Sequence, residues 1–101
     1  MFIDRRVFKI KVGHMQEALT LAKAEHVRIQ QNYGDLGTFR YLVGLVADFD
    51  TLVFESEWKH LADWERFWQA WGADRESMAF LQKIGETLES GGGNQLWTVV
   101  E

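Results

Sequence analysis

The stretch TFRYLVGLVADFDTLVFESEW, residues 38–58, decides the fold. Thr38 to Ala47 reads as a strand with Phe39, Tyr41, Val43 and Leu45 on one face and Leu42 and Val46 on the other. Thr51 to Trp58 reads as the next, with Leu52, Phe54 and Trp58 opposite Val53, Glu55 and Glu57. Residue types that favour strands, at period two, carry both assignments. Asp48-Phe49-Asp50 between them is too short for a crossover, so the pair forms an antiparallel hairpin.

Upstream, residues 2–12 form another strand: Phe8, Ile10 and Val12 alternate with Lys9 and Lys11. Gly13 ends it. A helix then spans residues 14–33, because Met15, Leu19, Ala22, His26, Ile29 and Tyr33 recur at steps of four and three. Gly34 and Gly37 close it. Downstream, Leu61, Trp64, Phe67, Trp68 and Trp71 mark a second helix, interrupted at Gly72. A further helical piece runs over residues 74–88, with Asp74 as N-cap. Gly91-Gly92-Gly93 stops it, and residues 95–101 form a fourth strand with Leu96, Thr98 and Val100 opposite Trp97 and Val99. The order is βαββαβ, an α+β, ferredoxin-like arrangement. Right-handed crossovers give a four-stranded antiparallel sheet of order 4-1-3-2 with the helices on one face.

One hundred and one residues suffice for a single domain, residues 1–101, and one core. The hydrophobic share of 47% against 26% charged residues marks a folded chain. With no Cys, disulfides, thiol catalysis and thiolate metal sites are excluded, and a reducing compartment is favoured. No apolar run is long enough to cross a bilayer. The charged start of the chain does not read as a signal peptide. A cytoplasmic protein is expected. The net charge of −4 argues against nucleic-acid binding.

The helices cover one sheet face only. Strands two and four read as apolar on both sides, so the other face calls for cover. A second copy, sheet to sheet, supplies it.

Three stretches carry a family resemblance: Phe8-Lys9-Ile10-Lys11-Val12-Gly13-His14-Met15-Gln16-Glu17-Ala18, Glu55-Ser56-Glu57-Trp58, and Leu61-Ala62-Asp63-Trp64-Glu65. With them the chain resembles the dimeric α/β-barrel superfamily, and within it the NIPSNAP-like and antibiotic-biosynthesis-monooxygenase-like small proteins. The resemblance implies a homodimer whose two sheets form a barrel, with a cavity between each sheet and its own helices. It implies no particular reaction.

Candidate chemistry concentrates on six residues. His26, on the apolar face of the first long helix, reads as a pocket base, as a haem ligand, or as a partly buried histidine bonded to a neighbour. Trp64 and Trp68, with Phe67 and Trp71, read as the wall of an aromatic ligand pocket or as core and dimer contact. Tyr41 and Phe54 lie beneath them in this topology. Arg40 reads as the partner of Glu55 or Glu57, or as the anchor of an anionic ligand. The three histidines have no metal-ligand spacing, so no metal is expected, and no cofactor beyond the haem alternative. Three functions follow. One is a NIPSNAP-like protein of undefined activity that binds a small apolar or aromatic ligand. Another is a cofactor-free monooxygenase acting on an aromatic quinol-like substrate, which itself supplies electrons to O2. The third is a haem-associated barrel protein using His26.

Overall fold

The computed structural model describes residues 1–46 and 48–101. The elements follow the order β1 (Phe2–Lys9), α1 (Met15–Tyr33), β2 (Thr38–Val43), β3 (Thr51–Trp58), α2 (Leu61–Gly72), α3 (Arg75–Gly85) and β4 (Gly93–Thr98). All neighbouring strands are antiparallel, in the order β2-β3-β1-β4. This is the expected 4-1-3-2 sheet.

Register assigns the faces. Phe2, Asp4, Arg6 and Phe8 of β1 stand opposite Trp58, Ser56, Phe54 and Leu52 of β3. Phe39 and Tyr41 of β2 stand opposite Ser56 and Phe54. These side chains face the helices. Ile29, Phe39, Phe54, Trp58, Phe67 and Trp71 form the main core there, and Ile10, Ala18, Ala22 and Leu52 a smaller one. The outer face presents Ile3, Arg5 and Val7 beside Glu57, Glu55 and Val53, with Arg40 and Leu42 on β2 and Trp97 on β4.

Three strands differ from expectation in their bounds. β2 stops at Val43, and Leu45 and Val46 stand outside the sheet almost wholly exposed. Val43 already faces Leu52, near the start of β3, so the later apolar residues have no strand to pair with. The expected last residue, Ala47, lies outside the described residues. Each side of β2 is therefore less apolar than its sequence suggests, and on the outer face Arg40 continues a charged row through Glu55 to Arg5. β1 likewise ends at Lys9, and Ile10 forms an isolated bridge to Leu88. β4 begins at Gly93, two residues early, and ends at Thr98.

α3 has a side-chain N-cap, whereas His14 and His60 before α1 and α2 make no such bond. Asp74, extended between α2 and α3, accepts from the Glu76 amide as an N-cap. α3 stops at Gly85, short of Leu88, and Thr87 is buried with its hydroxyl donating to the Ile84 carbonyl. Gly92 has φ +84°, and a Cβ there would lie 2.1 Å from the Val7 carbonyl oxygen. Glycine is required at that point on two counts.

Candidate functional site

Between the sheet and the α2–α3 pair lies a cavity of about 360 Å3. Small-molecule sites typically fall at roughly 300–1,000 Å3. Its floor is Phe8, Tyr41 and Phe54, its walls Phe67, Trp68 and Trp71, and its roof Met78, Leu81 and Ile84. α2 supplies the wall because Trp71 follows Phe67 by four residues and Trp68 by three, which places the three rings on one side of the helix. Met78 and Leu81 are each more than two-fifths exposed, so the roof meets solvent along this side of α3.

Few groups inside are polar. The Trp71 indole donates to Glu25 Oε2 at 2.8 Å, and the Trp68 indole to Asp4 Oδ2 at 3.2 Å. Both are thus committed behind the wall. Tyr41 offers its hydroxyl. Burial, reinforced by the nearby Glu25 charge, pushes that hydroxyl well above the usual tyrosine range, so it stays protonated as a neutral donor. Arg6 is the one charged residue among the described residues that line the space.

Behind this wall sit two buried carboxylates. Asp4, 1% exposed, accepts at Oδ2 from Trp64 at 2.8 Å, from Trp68, and at 3.4 Å from both Nε and Nη2 of Arg6. Its Oδ1 is buried without a partner among the described residues. Glu25, 4% exposed, takes Arg28 Nε at 2.7 Å, Arg28 Nη2 at 2.8 Å and the Trp71 indole. Arg28 continues to Asp74 at 2.7 Å and Ser77 at 2.6 Å. Hydrogen bonding to Glu25 is the largest influence holding the Arg28 guanidinium charged, and the bond from Arg28 holds the Asp74 carboxyl below the ordinary range. This network ties α1 to the start of α3 and so fixes the roof of the cavity.

The six residues singled out in the sequence divide among four places. Phe54 and Trp68 line the cavity. Tyr41 lines it too, and also a shallow groove along α1 and the β2 edge. His26 belongs to that groove, edge-on to Tyr41 at 6.2 Å between ring centroids, with Nδ1 buried and unpartnered among the described residues. A porphyrin placed in the cavity would receive no axial nitrogen from His26, so the residues present do not fit haem there. Trp64 lies outside the cavity lining and serves Asp4 instead. Arg40, although it also edges the groove, points its guanidinium to the outer face, where it donates to Glu55 and, at 3.1 Å, to Glu57. Arg5 meets Glu55 from the other side at 2.8 Å. Burial alone would raise the Glu55 carboxyl, but the Arg5 and Arg40 hydrogen bonds outweigh it and hold it below the ordinary range. Arg40 is thus the ion-pair partner and not a cavity residue.

Asp4, Arg6 and Glu25 are polar positions that periodicity alone passes over. The signal for two of them is present: period two places Asp4 and Arg6 on the same side of β1 as Phe8. No group of three or more His, Cys, Asp or Glu among the described residues could hold a metal ion. No described helix is long and apolar enough to cross a membrane.

A NIPSNAP family protein from Agrobacterium tumefaciens superposes with a TM-score of 0.83 over 99% of this chain and 93% of its own, at 23% identity. The chain has the NIPSNAP fold. An uncharacterized NIPSNAP domain protein from Burkholderia xenovorans gives a TM-score of 0.81, with 18% identity over 99% of this chain and 95% of its own. An antibiotic biosynthesis monooxygenase gives 0.76 at 20% identity, with both chains covered in full. At these identities the likeness is one of fold. No protein-family model and no curated protein matches the sequence. The neighbours nonetheless fall in the superfamily whose resemblance the sequence carried, and the NIPSNAP-like arrangement of sheet and helices is what encloses the aromatic cavity.

Proposed function

We propose that this chain is a small homodimeric binding protein that takes a flat, apolar or aromatic molecule between its sheet and helices. One observation carries the reading: an aromatic-walled space of about 360 Å3 stands open in a chain of 101 residues. Unfilled apolar volume costs stability in proportion to its size. A small domain has little stability to spare, so a retained, open-mouthed cavity fits a ligand better than a packing defect.

The pairing rests on the outer face and its margin. Trp97 is 53% exposed there, beside Ile3, and Leu42, Val53 and Val7 flank the Arg5–Glu55–Arg40 row. A two-fold partner, face to face, would shelter this surface. Sedimentation should then give about twice the single-chain mass of 11.8 kDa.

Titration with 2-naphthol or a similar bicyclic probe tests the cavity, with Trp68 and Trp71 fluorescence as the signal. Saturable quenching is expected, and it should be lost in Leu81→Trp, which fills the half-exposed roof. Wild-type protein that shows no saturable binding up to millimolar probe would end the reading. Oxygen uptake with a dihydroxynaphthalene would instead make the protein a cofactor-free monooxygenase. The neutral Tyr41 hydroxyl is the feature that speaks for this, since it could donate to an oxyanion forming on the substrate.

A further inference from the structure

We infer that the cavity selects an anion, and that Arg6 is the residue which recognises it. The inference rests on the cavity being a ligand site and adds the chemical class of the ligand: a flat apolar molecule that ends in a carboxylate or comparable oxyanion.

Arg6 is held but not used up. Its guanidinium lies over the Trp68 ring, 3.8 Å from the centroid, a cation–π contact that leaves the edge of the fork free. Its hydrogen bonds to Asp4 are both long, at 3.4 Å, and both go to Oδ2. That same oxygen already accepts the two indoles at 2.8 and 3.2 Å. Four donors thus converge on one atom, while Oδ1 has no partner among the described residues. The indoles make the shorter bonds to the aspartate, and Arg6 pairs with it only at the longer distance. Among the described residues Nη1 donates to no protein acceptor.

Its place in the fold makes the Arg6 charge useful. Arg6 lines the cavity yet keeps 28% of its side chain exposed, so it stands where the cavity meets water. On β4 its neighbour in register is the exposed Asn94. The other described lining groups offer only the Tyr41 hydroxyl, because the indoles of Trp68 and Trp71 are committed to Asp4 and Glu25. A ligand whose rings fill the space between Phe8, Phe54 and Trp68 can bring a carboxylate to the free edge of Arg6. Planar, bidentate pairing is the geometry a guanidinium supports and an ammonium does not.

Three probes of one shape test this at pH 7: 2-naphthoate, neutral 2-naphthalenemethanol and the cation 2-naphthylmethylammonium. Naphthoate should bind about ten- to a hundredfold more tightly than the alcohol, the range for a hydrogen bond to a charged group. The cation should bind most weakly. Arg6→Gln should erase the preference while leaving affinity for the alcohol within about threefold, which also reports that the variant is folded. Arg6→Lys should restore part of it. Asp4→Asn removes the competing carboxylate and should tighten naphthoate but not the alcohol. Equal affinity for naphthoate and the alcohol, or a preference that survives Arg6→Gln, would overturn the anion assignment and leave the cavity reading intact. Failure of all three probes would overturn the cavity reading and the assignment together.

Discussion

Replacing Glu25 with alanine should be the most damaging single change at the polar ties of this fold. The carboxylate is 4% exposed and receives three bonds, two from Arg28 and one from the Trp71 indole, all between 2.7 and 2.8 Å. Hydrogen bonds to a charged group contribute ~1.5–3 kcal/mol each, and they do not add in full when the partners are shared. Arg28 would keep Asp74 and Ser77, so its charge is not abandoned. The indole of Trp71, 8% exposed, would keep nothing in the described structure. Breaking a buried pair from one side costs about 3–5 kcal/mol, and the lower end applies here because Arg28 retains partners. A loss of ~3 kcal/mol is a large share of the roughly 5–15 kcal/mol that stabilises a domain. It corresponds to a fall in Tm of about 12 °C or more at ~4–8 °C per kcal/mol. Urea unfolding followed by far-ultraviolet circular dichroism and tryptophan fluorescence measures it, with Glu17→Ala as control. Glu17 makes only an exposed contact with His14 at 3.2 Å and should change stability by less than ~0.5 kcal/mol. If Glu25→Ala stays within ~1 kcal/mol of wild type, the network does not hold α1 to α3 and the rigid roof argued above is wrong.

Gly92→Ala should destabilise by several kcal/mol or prevent folding, since its Cβ would sit 2.1 Å from the Val7 carbonyl oxygen at φ +84°; Gly93→Ala, whose Cβ would meet nothing within 4 Å, is the matched control, and equal stability of the two would refute the close approach of β4 to β1. Leu52→Ala should cost ~2–5 kcal/mol by leaving a void between Ile10 and Ala18, measurable as a lower urea midpoint with an unchanged slope. Stability should also fall on acidification through Glu55. Its folded-state pKa lies below the ordinary 4.5, so its contribution is complete above about pH 4.5 and is lost as pH drops through the lower folded value. Glu55→Gln should flatten that part of the stability–pH curve, and a curve of unchanged shape would remove Glu55 as its source.

How far the sequence could be read depends on which physical quantity each residue expresses locally. Strand faces and helix stripes are local, and period two or 3.6 recovers β3 as residues 51–58 and the Trp64–Phe67–Trp68–Trp71 stripe. Pairing is not local. Leu45 and Val46 have the composition of a strand, yet they stand 99% and 97% exposed because β3 begins only at Thr51 and its pairing with β2 ends at Val43–Leu52. His26 shows the same limit on a helix. It belongs to the apolar stripe of α1, but that stripe serves two surfaces: Ile29 reaches the cavity, while Ala22 and His26 face the β2 edge. Arg6 was legible by register and obscured by charge type, since a basic cluster in a strand ordinarily marks water. Its inward placement depends on Trp64 and Trp68, some sixty residues on, whose indoles make a buried Asp4 tolerable.

The five tryptophans tie these results together. Read as apolar bulk, they suggest either a core or a ligand wall, and nothing in their spacing separates the two. Read by their single N–H, they separate at once: Trp58 donates to Ser56, Trp64 and Trp68 to Asp4, Trp71 to Glu25, and Trp97 to Gln95. Each indole is anchored at its polar edge, so its ring is fixed in orientation. Trp68 and Trp71 then present ring surface, and no free donor, to the cavity. A pocket built this way can hold apolar rings but has little means of its own to orient them. That task falls on the Tyr41 hydroxyl and, with far greater strength, on Arg6. The same tryptophans that bury two carboxylates therefore make one arginine decisive, and Arg6→Gln should convert a selective site into an indiscriminate hydrophobic one without unfolding it.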